Sequence, residues 1–218
     1  MPITWITFLL GTLALVGTPF FSGFYSKELT IDAAGAATVF GARFAYYATL
    51  IGVFVTSLYS FRVYFLVFHG KPRYEQAAAA HGDGQPLKPI ESPWVVTLPL
   101  VLLAIPSVGA GIWFTWPLLF GGFFDGVITV LPQHPAMATL AANWHGLVDY
   151  AVHALSTLVF WLVVAGFVIC WYCYLINPAV PAAIKRRLSW LYVVLENKYY
   201  ADWFNEQVLA RAARCLGQ

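Results

Sequence analysis

Residues 1–26 carry no charged side chain, and the run ends on Lys27 and Glu28. Just upstream, Gly17, Thr18 and Pro19 interrupt an apolar helical pattern, and Gly23 follows. Proline removes a backbone donor and clashes with the turn before it. Carbonyls freed at membrane depth must find a partner in protein or trapped water, so a helix broken there is tolerated where it faces a cavity. Ion pathways are often built in this way. If the helix resumes near Phe21 or Ser22, Lys27 falls within the bilayer thickness, where a lysine held out of water can exchange a proton near neutral pH. A second reading stands beside the first: a Lys-Glu pair closing an apolar run also serves as a snorkelling interfacial anchor. Glu28, at the adjacent position, points to another helix face and is a poor partner for Lys27. Asp32, one turn further, is expected near the outer surface.

Arg62 lies in the run TSLYSFRVYF with Thr56, Ser57 and Ser60 close by. Its guanidinium either snorkels to the nearer membrane face or joins an internal polar chain. His145 and His153 are spaced to share roughly one helix face, and titratable histidines at a membrane mouth can relay protons. Hydrogen-bonded structural histidines are the alternative. Cys170 and Cys173 have the C-x-x-C spacing but sit inside an apolar helix, without the further cysteines or histidines that a zinc or iron–sulfur site needs. They read as packing residues. The sequence holds no glycine-rich phosphate loop, dinucleotide fingerprint or nucleophile–base triad. The chain is therefore expected to have no catalytic side chain, metal or redox cofactor of its own.

These residues need helices to position them, and the composition says in what solvent. Of 218 residues, 60% are apolar and only 10% are Asp, Glu, Lys or Arg, against about 25% charged in ordinary globular chains. So few charges cannot cover a water-soluble exterior, and the lipid bilayer is the solvent such a chain fits. Three cysteines exclude a disulfide scaffold, and a net charge of +2 gives no reason to expect nucleic acid. A spanning helix needs about 20 predominantly apolar residues. Gaps in the charge pattern place four spans near 3–34, 42–68, 93–114 and 148–176, the first of them discontinuous. Pro132, Gln133, His134, Pro135 and Asn143 argue that 115–147 is a loop with short helical pieces. Trp94, Trp113, Trp116 and Trp144 fall near span ends, as interfacial belts do. The fold class is thus an all-α membrane protein, with a transmembrane bundle over 1–180.

Residues 181–218 differ. Ile184, Leu188, Leu191, Leu195, Tyr199 and Trp203 recur every three or four positions, with Lys185, Arg186, Glu196, Asn197 and Glu206 between them. This is an amphipathic helix suited to the membrane interface or to a partner's flank. Lysine and arginine set orientation. Lys71, Arg73 and Lys88 mark one loop, Lys185-Arg186-Arg187 open the last segment, and no Lys or Arg occurs from Pro89 to Ile184. The first two regions are expected in the cytoplasm and 115–147 outside. The N-terminus has no signal peptide pattern.

Four stretches, GTLALVGTPFFSGFYSKE, TSLYSFRVYFLVFHGKPR, ESPWVVTLPLVLLAIPSVGAG and ENKYYADW, follow one another in this order. Together they resemble the C-terminal part of the antiporter-like L-subunit family of respiratory complex I, the proton-pumping NADH:quinone oxidoreductase. The resemblance implies a multi-pass protein of the bacterial inner membrane that forms part of a proton channel, coupled to electron transfer elsewhere in the complex. It implies that Lys27 matches the lysine at the end of the subunit's proton path, and that Glu28 stands where the family usually has Asp. It also implies that the segment from Ile184 begins the long lateral helix lying along neighbouring complex I membrane subunits. The first stretch is shared with multisubunit cation/proton antiporters. An antiporter subunit therefore stays open, as does a structural scaffold without a titrating site. Family members carry further helices upstream, so this chain is expected to be the C-terminal piece of a longer subunit, supplying one end of a proton route.

Overall fold

The computed structural model describes residues 1–70, 72, 89–131 and 134–217. Lys71, Arg73 and Lys88 of the charged loop, with Pro132 and Gln133, lie outside the described residues. Among those described, every regular element is helical.

The first helix, α1, covers Pro2–Val16 and stops where Gly17 takes φ 85°. The amides of Gly17 and Thr18 turn back onto the carbonyls of Ala14 and Leu13, at 3.2 and 3.0 Å, the reverse turn that a left-handed glycine permits. After Pro19 and Phe20 (φ 72°) the chain resumes as α2, Ser22–Ala36. Each half has 15 residues, about 22 Å at 1.5 Å per residue. That is less than the ~30 Å hydrocarbon core, so a crossing takes both halves.

Helix α3, Ala42–Phe68, and helix α4, Trp94–Leu119, are each long and apolar enough to cross a membrane alone. Helix α4 contains Pro99, Pro106 and Pro117, and membrane helices accept proline where neighbours satisfy the freed carbonyls. It runs past the expected end at 114 and gives way at Gly121 and Gly122, the latter at φ 75°. Two short helices follow, α5 at Ala136–Ala142 and α6 at Leu147–Ala154. Helix α7, Leu158–Trp171, continues through a π turn, Tyr172–Ile176, and Leu158–Ile176 has membrane-spanning length and apolarity. The chain is an all-α, multi-pass membrane protein.

The segment expected as one span over 148–176 is therefore two helices. Ser156 and Thr157 explain the break. The Ser156 hydroxyl donates to the His153 carbonyl (2.6 Å) and Thr157 Oγ1 to that of Ala154 (2.8 Å), so the side chains compete with the helical ladder. Thr157 Oγ1 then accepts from the Phe160 amide at 3.4 Å and starts α7.

Residues Met1–Leu175 form one compact unit. Within it α3 packs chiefly on α7, while α1 and α2 both pack on α3 and α4. Ser57 Oγ donates to the Val163 carbonyl at 2.7 Å, and a Cβ at Gly166 would lie 2.5 Å from Ser57 Oγ. Small residues at such crossings let membrane helices approach closely. Helix α2 lies between two apolar clusters. Its Ile31 belongs with Val16, Leu50, Val53, Phe61 and Val163; its Phe24, Tyr25 and Leu29 belong with Leu140, Ala151 and Ala154.

Residues Ile176–Gln218 form a second unit. The single amphipathic helix expected over 181–218 is instead a series: α8 Ala179–Arg187, α9 Ser189–Glu196, a 3₁₀ turn Lys198–Tyr200, α10 Ala201–Phe204, a π turn Asn205–Leu209 and α11 Ala210–Leu216. Lys198, Tyr199 and Tyr200 all have positive φ, a conformation costing about 1–2 kcal/mol per L-residue in a helix. Asn197 Nδ2 takes the Val193 carbonyl at 2.8 Å as α9 ends. The exposed Lys198–Asp202 pair at 2.6 Å bridges the break, and ion pairs so open to solvent add little.

Candidate functional site: the break in the first membrane helix

A helix end leaves four carbonyls without intrahelical partners. At the end of α1, those of Leu13 and Ala14 are taken by backbone amides. The Leu15 carbonyl accepts from Lys27 Nζ, which reaches back from α2. Half-buried Lys27 therefore turns inward to the break. A cation in this place meets the negative end of the helix dipole, an interaction of about 0.3–1 kcal/mol when exposed and up to ~2 when partly buried.

The two glycines of the break act differently. Gly17 supplies the left-handed turn, and the Lys27 stem passes it, with Cδ 3.4 Å from where a Cβ would sit. Gly23 has ordinary helical geometry but faces α1 so closely that a Cβ would fall 1.8 Å from the Ala14 carbonyl oxygen. Thr18 and Pro19 line a cavity of about 250 Å³ together with Leu13, Phe61, Tyr64 and Phe167. Apart from Thr18 and Tyr64, its named walls are apolar.

Glu28 takes the other face of α2. It is only 4% exposed. No ion pair joins Glu28 to Lys27 among the described residues. One turn on, the exposed Asp32 accepts a hydrogen bond from Tyr150 Oη at 2.7 Å. Asp32 and Tyr150 also line a cavity of about 770 Å³ with Asn143, His145, Asp149 and His153. The two histidines thus share one cavity, His145 Nδ1 lying 3.0 Å from the Asn143 carbonyl.

Arg62 is elsewhere. It is exposed, with its guanidinium carbon 5.7 Å from the Tyr174 ring centre, and no hydrogen bond or ion pair links it to Lys27 or Glu28 among the described residues. Thr56 is half-buried, and Ser60 buries a hydroxyl that has no partner among the described residues. Cys170 donates to the Leu58 carbonyl at 2.9 Å, and both Cys170 and Cys173 are free thiols. Among the described residues, no group of three or more His, Cys, Asp or Glu is placed to hold a metal ion.

Two contacts escape a reading of the sequence. Ser22 Oγ donates to the Pro106 carbonyl (2.6 Å) and accepts from the Gly111 amide (2.8 Å). Glu91 accepts from the Ile3 amide (2.9 Å), the Thr4 amide (3.4 Å) and the Thr4 hydroxyl (2.5 Å), closing the first turn of α1. The Thr4 hydroxyl, followed by the two amides, holds the Glu91 carboxyl below the usual glutamate range. A serine after a broken helix and an acid before a span are the only local signals, and neither names its partner.

A bundle of membrane-length helices, built around a discontinuous helix whose lysine is folded back onto the break, defines the class: an all-α, multi-pass membrane protein. The chain belongs to the NADH-quinone oxidoreductase subunit L (chain 5) family, and it corresponds to the C-terminal third of that subunit. It is 45% identical over 227 aligned positions to NADH-quinone oxidoreductase subunit L of Neisseria meningitidis, covering 100% of this chain and 34% of the relative. The subunit L of Mycobacterium tuberculosis is 32% identical over 212 positions, 97% of this chain and 30% of the relative. NAD(P)H-quinone oxidoreductase chain 5 of Picosynechococcus is 32% identical over 229 positions, 100% of this chain and 33% of the relative. The chain thus spans about a third of the length of these relatives. No family model matches the sequence.

Proposed function

We propose that this chain forms the C-terminal end of a proton path in the membrane arm of an NADH-quinone oxidoreductase, with Lys27 as the group that takes up and releases the proton. One observation carries the reading: the Lys27 ammonium donates to the Leu15 carbonyl, freed where the apolar helix is broken. That bond and the helix dipole favour the charged form, while withdrawal from water opposes it. A change of charge beside the break then alters the balance between the two forms, and a proton arrives or leaves. Electron transfer takes place elsewhere in the complex, in keeping with the relatives' names.

Glu28 stands on the outer side of this step in our reading. The proton leaves past its carboxyl to the Tyr150–Asp32 pair and the cavity that holds His145 and His153. Arg62, turned to Tyr174, braces α3 against the end of α7 and stays out of the route. The segment from Ile184, whose Ile184, Leu188, Leu195 and Trp203 are exposed, lies along neighbouring membrane subunits.

The test is Lys27→Ala in the intact oxidoreductase, assayed in inverted membrane vesicles. Proton uptake per NADH oxidised falls, while NADH oxidation with an artificial acceptor continues. Unchanged uptake per NADH removes Lys27 from the route.

A further inference from the structure

We infer that Ser22 is a positioning residue that fixes α2, and with it Lys27, to the middle of α4. Ser22 is the first residue of α2, and its one hydroxyl holds two backbone groups of another helix. It donates to the Pro106 carbonyl and accepts from the Gly111 amide. Pro106 has no amide, so the Leu102 carbonyl one turn back loses its ladder partner. One turn further on, the Ser22 hydroxyl bridges the Pro106 carbonyl and the Gly111 amide, and a side chain inserted among ladder groups fixes the two helices in one arrangement. The contact leaves no slack: a Cβ at Gly111 would lie 2.7 Å from Ser22 Cα and 2.7 Å from Tyr25 Cδ2.

The chain leading into α4 also grips the other half of the broken helix. Glu91 closes the first turn of α1, and α4 packs on both α1 and α2. The α4 segment is thus a strut tied to α1 just before its start and to α2 at Pro106 and Gly111. Lys27 stands between these ties, its ammonium on the last turn of α1 and its backbone in α2. Freeing Ser22 lets α2 slide along α4 and draws the ammonium off the Leu15 carbonyl.

This inference rests on the reading of Lys27 as the proton carrier, and the experiment separates the two. Lys27→Ala, Ser22→Ala, the double variant, Ser22→Thr, Gly111→Ala and Ser26→Ala are made in the intact oxidoreductase, with proton uptake per NADH normalised to assembled complex. Ser22→Ala loses uptake toward the Lys27→Ala level, and the double variant is no lower than Lys27→Ala. Ser22→Thr, which keeps the hydroxyl, restores uptake. Ser26→Ala, which removes a bond internal to α2, leaves it unchanged. Gly111→Ala keeps every hydrogen-bonding group, forces the helices apart and loses uptake as Ser22→Ala does. If Lys27→Ala lowers uptake but Ser22→Ala does not, the positioning role is overturned and the proton carrier stands. A double variant well below Lys27→Ala overturns it as well, since Ser22 then acts apart from the lysine. Where Ser22→Ala does not assemble, wild-type uptake in Gly111→Ala overturns the inference. If Lys27→Ala itself pumps normally, the proposed function fails first.

Discussion

Gly23 faces the Ala14 carbonyl at a distance no side chain can share, and the obstacle is backbone, which cannot swing away. Overpacking of this sort typically costs 1–3 kcal/mol. Gly23→Ala is therefore expected to lower the thermal midpoint of the purified complex and to reduce proton uptake, because α2 must retreat from α1 and carry Lys27 with it. Gly11→Ala, with nothing within 4 Å of the added methyl, is the control and stays within error of the wild type. Glu91 gives a pH-dependent counterpart at the other end of α1. Its carboxyl is held below the usual glutamate range by the Thr4 hydroxyl and the first-turn amides. A depressed carboxylate contributes fully above its unfolded pKa, near 4.3, and loses its contribution as pH falls through the lower folded value. The protection factors of the Ile3 and Thr4 amides should hold steady from neutral pH down to about 5 and then fall as pH drops below the ordinary glutamate range. Glu91→Gln should abolish that acid step. A step that persists in Glu91→Gln assigns the effect to another group.

At the scale of elements, two breaks divide spans read from the charge pattern, after α1 and after α6, and only the first was legible in the sequence. Pro19 with Gly17 announces the first break, because proline and glycine fix or free φ whatever surrounds them. The break between α6 and α7 rests on Ser156 and Thr157, which fit a helix or a cap equally well until tertiary packing chooses. The apolar run through 148–176 concealed it. Thr157→Ala tests the cap: losing an N-cap hydroxyl costs about 0.5–2 kcal/mol, so the melting midpoint of the complex should fall, while Thr157→Ser should keep it. The clamp of Ser22 on α4 was hidden for another reason, since it joins residues 84 and 89 positions apart in the chain. The three- and four-residue periodicity after Ile184 was readable, but its interruption was not. Lys198, Tyr199 and Tyr200 adopt a left-handed backbone that their residue types do not favour.

At the scale of the whole molecule, the strongest sequence signal is charge asymmetry, and it makes a prediction about sides of the membrane. Loops rich in Lys and Arg stay in the cytoplasm, and no Lys or Arg occurs between Pro89 and Ile184. His69, the C-cap of α3, and Thr139 in α5 are both exposed and, among the described residues, are separated by one membrane-length helix, α4. One crossing puts them on opposite faces, His69 inside and Thr139 outside. His69→Cys and Thr139→Cys, each made in the intact complex with the exposed Cys215 changed to serine, should therefore react oppositely with a membrane-impermeant thiol reagent. His69→Cys should label in inverted vesicles and Thr139→Cys in right-side-out ones. The reverse pattern would turn the proposed route around, with the Asp32–Tyr150 cavity becoming its entrance. Labelling of both from one side would mean that α4, for all its length and apolarity, does not cross the bilayer, and the discontinuous helix would then lose the wall against which Ser22 is held.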